Sequence, residues 1–183
     1  MLCLAFLHLR KKGGDRGELI VYFQPIISLE EERLSGFEAL VRWQHPNHGL
    51  VPPAEFIPIA EDTGLIIDIG QWVLWEACRQ MREWQCRGVF EQSVTVSVNL
   101  SSKQFTNPRL AEQITDNLQQ TNLDPSCLNL EITESVVTEN AVSACATLRQ
   151  LRALGIHLKY RRFRHGLFVV KLSAPIPSKH IED

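Results

Sequence analysis

The sequence has little that would tie it to a membrane, to nucleic acid or to an oxidising compartment. Its 5 cysteines include no C-x-x-C pair, and scattered cysteines in odd number are typical of a reduced, cytoplasmic protein. The net charge of −2 offers no basic surface for a nucleic-acid polymer or an anionic membrane. The apolar opening, Met1 to Leu9, is too short to span a bilayer, and its basic residues follow it, unlike those of a secretory signal. We expect a cytoplasmic chain without membrane insertion.

The composition instead fits a single α/β domain. A chain of 183 residues with 44% hydrophobic content can bury a sizeable core. Segments with the two-residue period of a strand alternate about four times with segments of helical period, which is the pattern of a parallel sheet or barrel. Strands are predicted at 18–29, 34–44, 94–101 and 128–135, with a fifth from Ile156, and helices at 53–61, 68–87, 107–121 and 138–154.

One predicted strand carries charges that a core strand would not need. Because side chains alternate between the two faces of a strand, Glu38, Leu40 and Arg42 share one face and Phe37 and Trp43 lie on the other. A buried carboxylate is costly unless it is paired or bound to metal. The residues alone therefore leave two interpretations open, a structural ion pair between Glu38 and Arg42, or a metal ligand beside a phosphate-binding arginine.

Two later strands favour the second interpretation. Asn99 and Glu131 each lie near the carboxyl end of a predicted strand that precedes a helix, where parallel sheets and barrels build their active sites. Glutamate and asparagine offer oxygen ligands, which suit Mg²⁺ or Mn²⁺ better than zinc.

Seven short motifs follow one another in a fixed order along the chain. They are Tyr22 to Ile26, Phe37 to Trp43, His45-Pro46, Pro53 with Phe56-Ile57, Ala60-Glu61, Val98 to Ser101 and Leu130 to Ser135. This series closely resembles the EAL domain, the cyclic-di-GMP phosphodiesterase family, over residues 18–158. The resemblance implies an incomplete TIM-type (β/α) barrel of about the first five strands, with one strand antiparallel. It also implies hydrolysis of cyclic di-GMP to pGpG with two Mg²⁺ or Mn²⁺ ions.

The resemblance also implies roles for single residues. The matching positions give three metal ligands, of which the first is also catalytic, three substrate-binding residues and one glutamate that holds the loop after the fifth strand. From the pattern alone, Gln24 could equally be a polar residue of an edge strand. The residues are Glu38, Asn99 and Glu131 for metal, Gln24, Leu40 and Arg42 for substrate, and Glu134 for the loop.

The resemblance ends in the fifth strand. There the family carries Asp-Asp-Phe-Gly-Thr-Gly, which supplies two acidic metal ligands, and its next strand carries Lys-Ile-Asp, whose lysine positions the attacking water. This chain has a basic run from Lys159 to Gly166 instead, and arginine cannot coordinate a cation. The prediction is therefore half a site, with weak metal binding and no hydrolysis.

A shift of one base accounts for this departure. Codons exist for residues 160–165 that spell Ile-Asp-Asp-Phe-Gly-Thr when they are read one base later, and the shifted frame continues in family-like sequence to Asp183. This favours a frameshift near Leu158 to Tyr160, by mutation or sequencing error, with a C-terminally truncated product. A nucleic-acid-binding role for the basic tail is the alternative.

The sequence thus predicts three regions and leaves three functions open. Residues 1–17 are interpreted as a linker or the remnant of an upstream region, 18–158 as a partial EAL domain and 159–183 as an aberrant tail. The chain is an inactive phosphodiesterase fragment, a module that binds cyclic di-GMP or protein without catalysis, or an α/β fragment without a ligand. An exposed sheet edge also predicts a homodimer.

Overall fold

The computed structural model describes residues 17–90, 93–133, 141–161 and 176–177, which form a seven-stranded sheet with helices packed against it. The strands are β1 (Leu19–Ser28), β2 (Arg33–His45), β3 (Gly49–Val51), β4 (Thr95–Leu100), β5 (Leu128–Thr133), β6 (His157–Arg161) and β7 (Ile176–Pro177). The helices are α1 (Pro53–Thr63), α2 (Ile66–Cys86), α3 (Ser102–Phe105), α4 (Leu110–Thr121) and α5 (Ala141–Ala153), with a 3-10 turn at Pro125–Cys127. Within these ranges the predicted alternation of strand and helix is confirmed.

The sheet combines an antiparallel hairpin with a parallel series. β1 pairs antiparallel with β2, and β2, β4, β5 and β6 follow in that spatial order as parallel neighbours. At the other edge β7 pairs with β1. In the part of the chain that the structure describes, β6 has β5 as its one strand neighbour, so the sheet stays open. Order and direction are those predicted for an incomplete barrel with one antiparallel strand.

The helices cover one face of this sheet and form the core with it. Trp84 of α2 is 1% exposed and its ring centroid lies 4.8 Å from that of Phe23 on β1 and 5.1 Å from that of Phe37 on β2. Val96 and Leu130 extend the buried layer on β4 and β5. Every second residue of these strands is apolar because that face is packed against helices. None of the described helices is long and apolar enough to cross a bilayer.

Several boundaries differ from those predicted. α2 begins at Ile66 rather than residue 68, and α4 begins at Leu110 rather than at residue 107. The short helix α3 was not predicted, since four residues show no clear period. It is fixed by its ends, because the Ser101 hydroxyl accepts from the Gln104 backbone N–H and the Gln104 side chain accepts from Ser101 N–H.

The fifth predicted strand is longer than the sequence pattern indicated. Its family-like part ends at Leu158, but β6 continues to Arg161, in register with Glu131 through Thr133 of β5. The pairing of parallel strands uses backbone N–H and C=O groups, so a basic sequence can extend a ladder that the preceding residues have begun.

Candidate functional site

The face of the sheet opposite the helices, called the inner face below, carries the predicted site residues. Residues in register on neighbouring strands point to the same face, and the pairs Gln24 with Glu38 and Asn99 with Glu131 lie there together. The inner face is polar along most of its width. Its described side chains include Tyr22, Gln24, Glu38, Leu40, Arg42, Thr95, Ser97, Asn99, Asn129, Glu131, His157 and Lys159.

Glu38 and Asn99 are in direct contact although they lie 61 positions apart in the chain. The Asn99 amide nitrogen Nδ2 donates to Glu38 Oε1 at 2.8 Å. The contact arises because β2 and β4 are parallel neighbours with Ala39 opposite Val98, which brings Asn99, the next residue of β4, close to Glu38. Strand pairing therefore brings two of the predicted metal ligands together.

Glu131 completes the predicted set of three on the next strand. It lies directly opposite Asn99 in the β4–β5 ladder and is partly buried. Neighbouring strands are about 4.8 Å apart, so the Glu38 carboxylate, the Asn99 amide and the Glu131 carboxylate occupy adjacent positions on three neighbouring strands. Their role as metal ligands stays a prediction.

The donor set fits one divalent cation of the magnesium type. Two carboxylates and one amide oxygen are the hard oxygen ligands that Mg²⁺ and Mn²⁺ prefer, and such ions keep several waters. Asn99 would have to turn its amide so that its oxygen replaces the nitrogen now facing Glu38. Among the described residues there is no group of three His, Cys, Asp or Glu that could hold a metal. The residues described therefore do not fit the second ion of a two-metal centre.

Arg42 is positioned by groups other than Glu38. Its Nη1 donates to the Val41 carbonyl oxygen at 2.9 Å, and its guanidinium carbon lies 5.8 Å from the centroid of the Tyr22 ring on β1. A guanidinium over an aromatic face gains a cation–π attraction, and the planar group can still donate to a carboxylate or phosphate. This placement favours the anion-binding interpretation of Arg42 over a structural ion pair.

A cavity of about 230 Å³ adjoins the cluster between β2, β4, α1 and α2. Leu40, Arg42 and Asn99 line it, so two of the three predicted substrate residues share one cavity with a predicted metal ligand. Gln24 lies outside this lining, on the inner face opposite Glu38. The other lining residues are Ala39, Val41, Pro53, Ile57, Glu61, Ile66, Ile69, Gly70, Val73, Leu100, Ser101 and Gln104.

At this cavity a hydrogen bond connects α3 to the last turn of α1. The ammonium of Lys103 on α3 donates to the carbonyl oxygen of Glu61 near the end of α1. Gly70 of α2 approaches Gln104 so closely that a Cβ there would lie 1.9 Å from the Gln104 Nε2. The Gln104 side chain therefore packs directly against α2 at this wall of the cavity.

The sequence reasoning missed the polar residues that lie below the cluster. Asn129 Nδ2 donates to Thr95 Oγ1 at 2.7 Å and lies 3.4 Å from Ser97 Oγ, and Lys159 Nζ lies 3.5 Å from the same Ser97 oxygen. The two-residue alternation of the strands could have identified them, because they point to the same face of the sheet as Asn99 and Glu131.

Two positions concern the acidic metal ligands of the fifth strand, and the loop after it, that the family resemblance leads one to expect. Glu134 lies outside the described residues. In β6 the backbone of Arg161 pairs with Thr133, two positions beyond the pair of Lys159 and Glu131. The end of this strand therefore bears arginine in the sequence where the resemblance leads one to expect paired aspartates.

Comparisons with known proteins agree with this geometry. The sequence profile of the EAL domain matches residues 9–181. The chain is 37% identical over 179 residues to the bifunctional diguanylate cyclase/cyclic di-GMP phosphodiesterase MucR of Pseudomonas aeruginosa, covering 98% of this chain and 26% of that protein. It is 47% identical over 151 residues to the uncharacterized protein y4lL of Sinorhizobium fredii, covering 82% and 18%. The chain thus spans about a quarter or less of these relatives.

Solved structures give the same result. The chain superposes on the MucR phosphodiesterase in complex with c-di-GMP with a TM-score of 0.80 and 40% identity, covering 89% of this chain and 65% of that one. The EAL enzyme Bd1971, in its cAMP- and cyclic-di-GMP-bound form, gives a TM-score of 0.78 at 29% identity, covering 90% and 45%.

The solved structures that this chain matches are TIM-barrel domains, and its described sheet, which is open, is consistent with an incomplete barrel of that type. The chain belongs to the EAL domain family. The predicted family and fold class are thereby confirmed.

Proposed function

We propose that this chain binds cyclic di-GMP at the strand-end site and does not hydrolyse it. The proposal is carried by the 2.8 Å contact between Asn99 and Glu38 beside a cavity that Leu40 and Arg42 line. The family resemblance gives these residues substrate and metal roles. A nucleotide with two phosphodiesters needs local cations, since the net charge of −2 provides no general attraction.

The binding half of the site is supported by Arg42. Its side chain is fixed by the Val41 carbonyl and the Tyr22 ring, so little of its freedom would be lost when it binds a phosphate. Gln24 lies opposite Glu38 and would contact the nucleotide at the other side of the inner face. The solved MucR complex holds c-di-GMP in a fold that matches this chain at a TM-score of 0.80.

Hydrolysis, in contrast, needs carboxylates that the described residues do not supply. In-line displacement at a phosphodiester with two metal ions requires carboxylates that hold and bridge both ions. Glu38, Asn99 and Glu131 fit one Mg²⁺ or Mn²⁺, which would neutralise phosphate charge when bound. No described residue adds a third carboxylate. The sequence supplies arginines at 161 and 162, which cannot coordinate a cation.

We further infer that the defect lies in the reading frame of the gene. Codons for the residues after Leu158 are compatible with a one-base shift near Leu158 to Tyr160, which would put residues 159–183 out of frame. Under this proposal the restored frame encodes a cyclic-di-GMP phosphodiesterase that uses Mg²⁺ or Mn²⁺, with Glu134 holding the loop after the restored aspartates.

Calorimetric titration with cyclic di-GMP tests the binding half. The purified chain should bind in the presence of Mg²⁺, and Arg42→Ala should weaken binding roughly tenfold or more, because a charge-assisted contact to phosphate is lost. Arg33→Ala is the matched control, since Arg33 lies at the other end of β2 in an exposed ion pair with Glu31. Chromatography of the same samples should show no pGpG. Equal binding by the wild type and Arg42→Ala, or no binding by either, would overturn the proposed site.

A second candidate function, self-association, is supported by the open edge of the sheet. In the described residues β6 pairs on one side only, and an unpaired parallel edge can add a strand from a second copy. Light scattering during size-exclusion chromatography tests this. A monomer at all concentrations would exclude the homodimer without affecting the proposal for nucleotide binding.

A further inference from the structure

Lys159 places a positive charge on the inner face, next to the predicted metal ligands. It lies directly opposite Glu131 in the β5–β6 ladder, so both side chains point to the same face. Its Nζ lies 3.5 Å from Ser97 Oγ on β4, and Ser97 is itself opposite Glu38 in the β2–β4 ladder. The ammonium therefore crosses β5 and ends between the strands that carry the two glutamates.

The groups that receive the Lys159 ammonium are neutral. Ser97 is fully buried at 0% exposure, and its hydroxyl oxygen also faces the Asn129 amide nitrogen at 3.4 Å. Asn129 in turn donates to Thr95 Oγ1 at 2.7 Å. The Ser97 hydroxyl carries no charge that would cancel that of the ammonium, so the field of Lys159 extends to the neighbouring carboxylates.

The charged groups of the described inner face balance each other. Two acidic side chains, Glu38 and Glu131, share this face with two basic side chains, Arg42 and Lys159. A site that binds a divalent cation by carboxylates depends on a local excess of negative charge. On the described inner face, the positive charges of Arg42 and Lys159 offset the negative charges of the two glutamates.

We propose that Lys159 is a built-in counter-ion that lowers the affinity of the Glu38, Asn99 and Glu131 cluster for a divalent cation. This inference rests on the proposed metal role of that cluster. Neighbouring strands are about 4.8 Å apart, so an ammonium one or two strands away repels a divalent ion by roughly the equivalent of a tenfold change in dissociation constant in a partly solvated site. Lys159 is exposed, so added salt reduces the effect.

The test is Mn²⁺ binding, measured by calorimetry and by the loss of the free-ion electron paramagnetic resonance signal. Lys159→Gln should bind Mn²⁺ roughly tenfold more tightly than the wild-type chain, whereas Lys159→Arg keeps the charge and should stay within about twofold of it. Arg109→Gln is the matched control, because it removes one exposed cation from the start of α4, where Arg109 pairs with Glu112. Its Mn²⁺ affinity should equal that of the wild type.

Glu38→Gln in the Lys159→Gln background separates this inference from the function on which it rests. Loss of the tight Mn²⁺ binding in the double variant is expected. If Lys159→Gln does not tighten binding while Glu38→Gln still weakens it, the metal cluster stands and the counter-ion role of Lys159 is wrong. If Glu38→Gln changes nothing, or if neither the wild type nor Lys159→Gln binds Mn²⁺ at millimolar concentration, the metal role of the cluster is wrong and the inference fails with it.

Discussion

The two faces of the sheet differ in what holds their side chains in place. On the helix-packed face, Phe23, Phe37 and Val96 are buried against α2 and neighbouring elements at 0–2% exposure. On the inner face, Glu38 and Asn99 are held by a hydrogen bond at the open end of the sheet. Burial of a large apolar side chain contributes about 1.5–3 kcal/mol, whereas a polar contact contributes about 1 kcal/mol.

This difference implies that an EAL domain can keep its fold when residues of its inner face change. The core is formed by the packed face, whose residues continue without interruption from β1 to β5. The inner face of β4 to β6 is polar, and Ser97 there contacts both Asn129 and Lys159. Chemistry and stability therefore depend on different residues, and each can be changed separately.

The largest expected effect concerns the inner face. DNA that encodes this chain, read one base later after about Leu158, should spell Asp-Asp-Phe-Gly-Thr-Gly and continue into further strands. The restored protein should hydrolyse cyclic di-GMP on the order of 10³-fold faster than this chain, because the members of a catalytic unit act together. Product formation with Mn²⁺ measures this, and Glu38→Ala in the restored protein should abolish it again. Stop codons early in the shifted frame, or turnover by the 183-residue chain that Glu38→Ala removes, would contradict the prediction.

The packed face should show the largest effect on stability. Trp84→Ala should lower the free energy of unfolding by about 3–5 kcal/mol, since it leaves a cavity among Phe23, Phe37 and Phe90. Glu38→Gln on the inner face should change it by less than about 0.5 kcal/mol. Urea unfolding followed by circular dichroism gives both values. Similar losses in the two variants would show that the faces are not energetically separate.

Substitution of Gly36, on the inner face, should reduce stability as a substitution in the core does. A Cβ at Gly36 would lie 2.5 Å from the Thr95 backbone oxygen and 2.7 Å from its Oγ1, across the β2–β4 ladder. Because a backbone oxygen cannot rotate away, Gly36→Ala should cost about 1–3 kcal/mol by forcing the strands apart. Gly49→Ala is the control. Its φ of +68° is strained for alanine but nothing lies within 4 Å, so we expect about 1 kcal/mol by thermal melting. A smaller loss for Gly36 than for Gly49 would refute the close-approach argument.

The smallest expected effect is a pH dependence of the free energy of unfolding, caused by a cysteine in the packed core. Burial raises the pKa of the Cys78 thiol to about 12, so the folded chain keeps this proton at pH values where the unfolded chain releases it. The unfolded state then binds fewer protons, and stability falls as the pH rises through the unfolded pKa near 9. Between pH 8 and 10 the wild type should lose about 1 kcal/mol more stability than Cys78→Ala. The exposed Cys86 serves as control, since Cys86→Ala should keep the wild-type pH profile. Parallel profiles for the wild type and Cys78→Ala would contradict the assignment.

The sequence predicted most of the parallel architecture because its signals are local. The two-residue period placed Glu38 and Arg42 on one face, and the turn and helix signals gave the alternation of elements. It could not give α3, whose four residues are held by the Ser101 and Gln104 cap, nor the extension of β6 to Arg161. The cap of α3 is a local pair of side chains, and the extension of β6 depends on backbone hydrogen bonds to β5; neither leaves a period in the sequence.

By itself, then, the sequence determined the family and the alternation of the predicted strands and helices, since residue type and spacing carry that information, and its metal and substrate residues stay predictions. The tertiary structure alone decided which groups meet. Strand pairing brought Asn99 to within 2.8 Å of Glu38 across 61 positions, and directed Arg42 to Tyr22 rather than to Glu38. It also placed Lys159, which the sequence suggested was part of a meaningless tail, opposite Glu131. The physical reason is that register between distant strands is set by the whole sheet and its packed face, and no single strand encodes it.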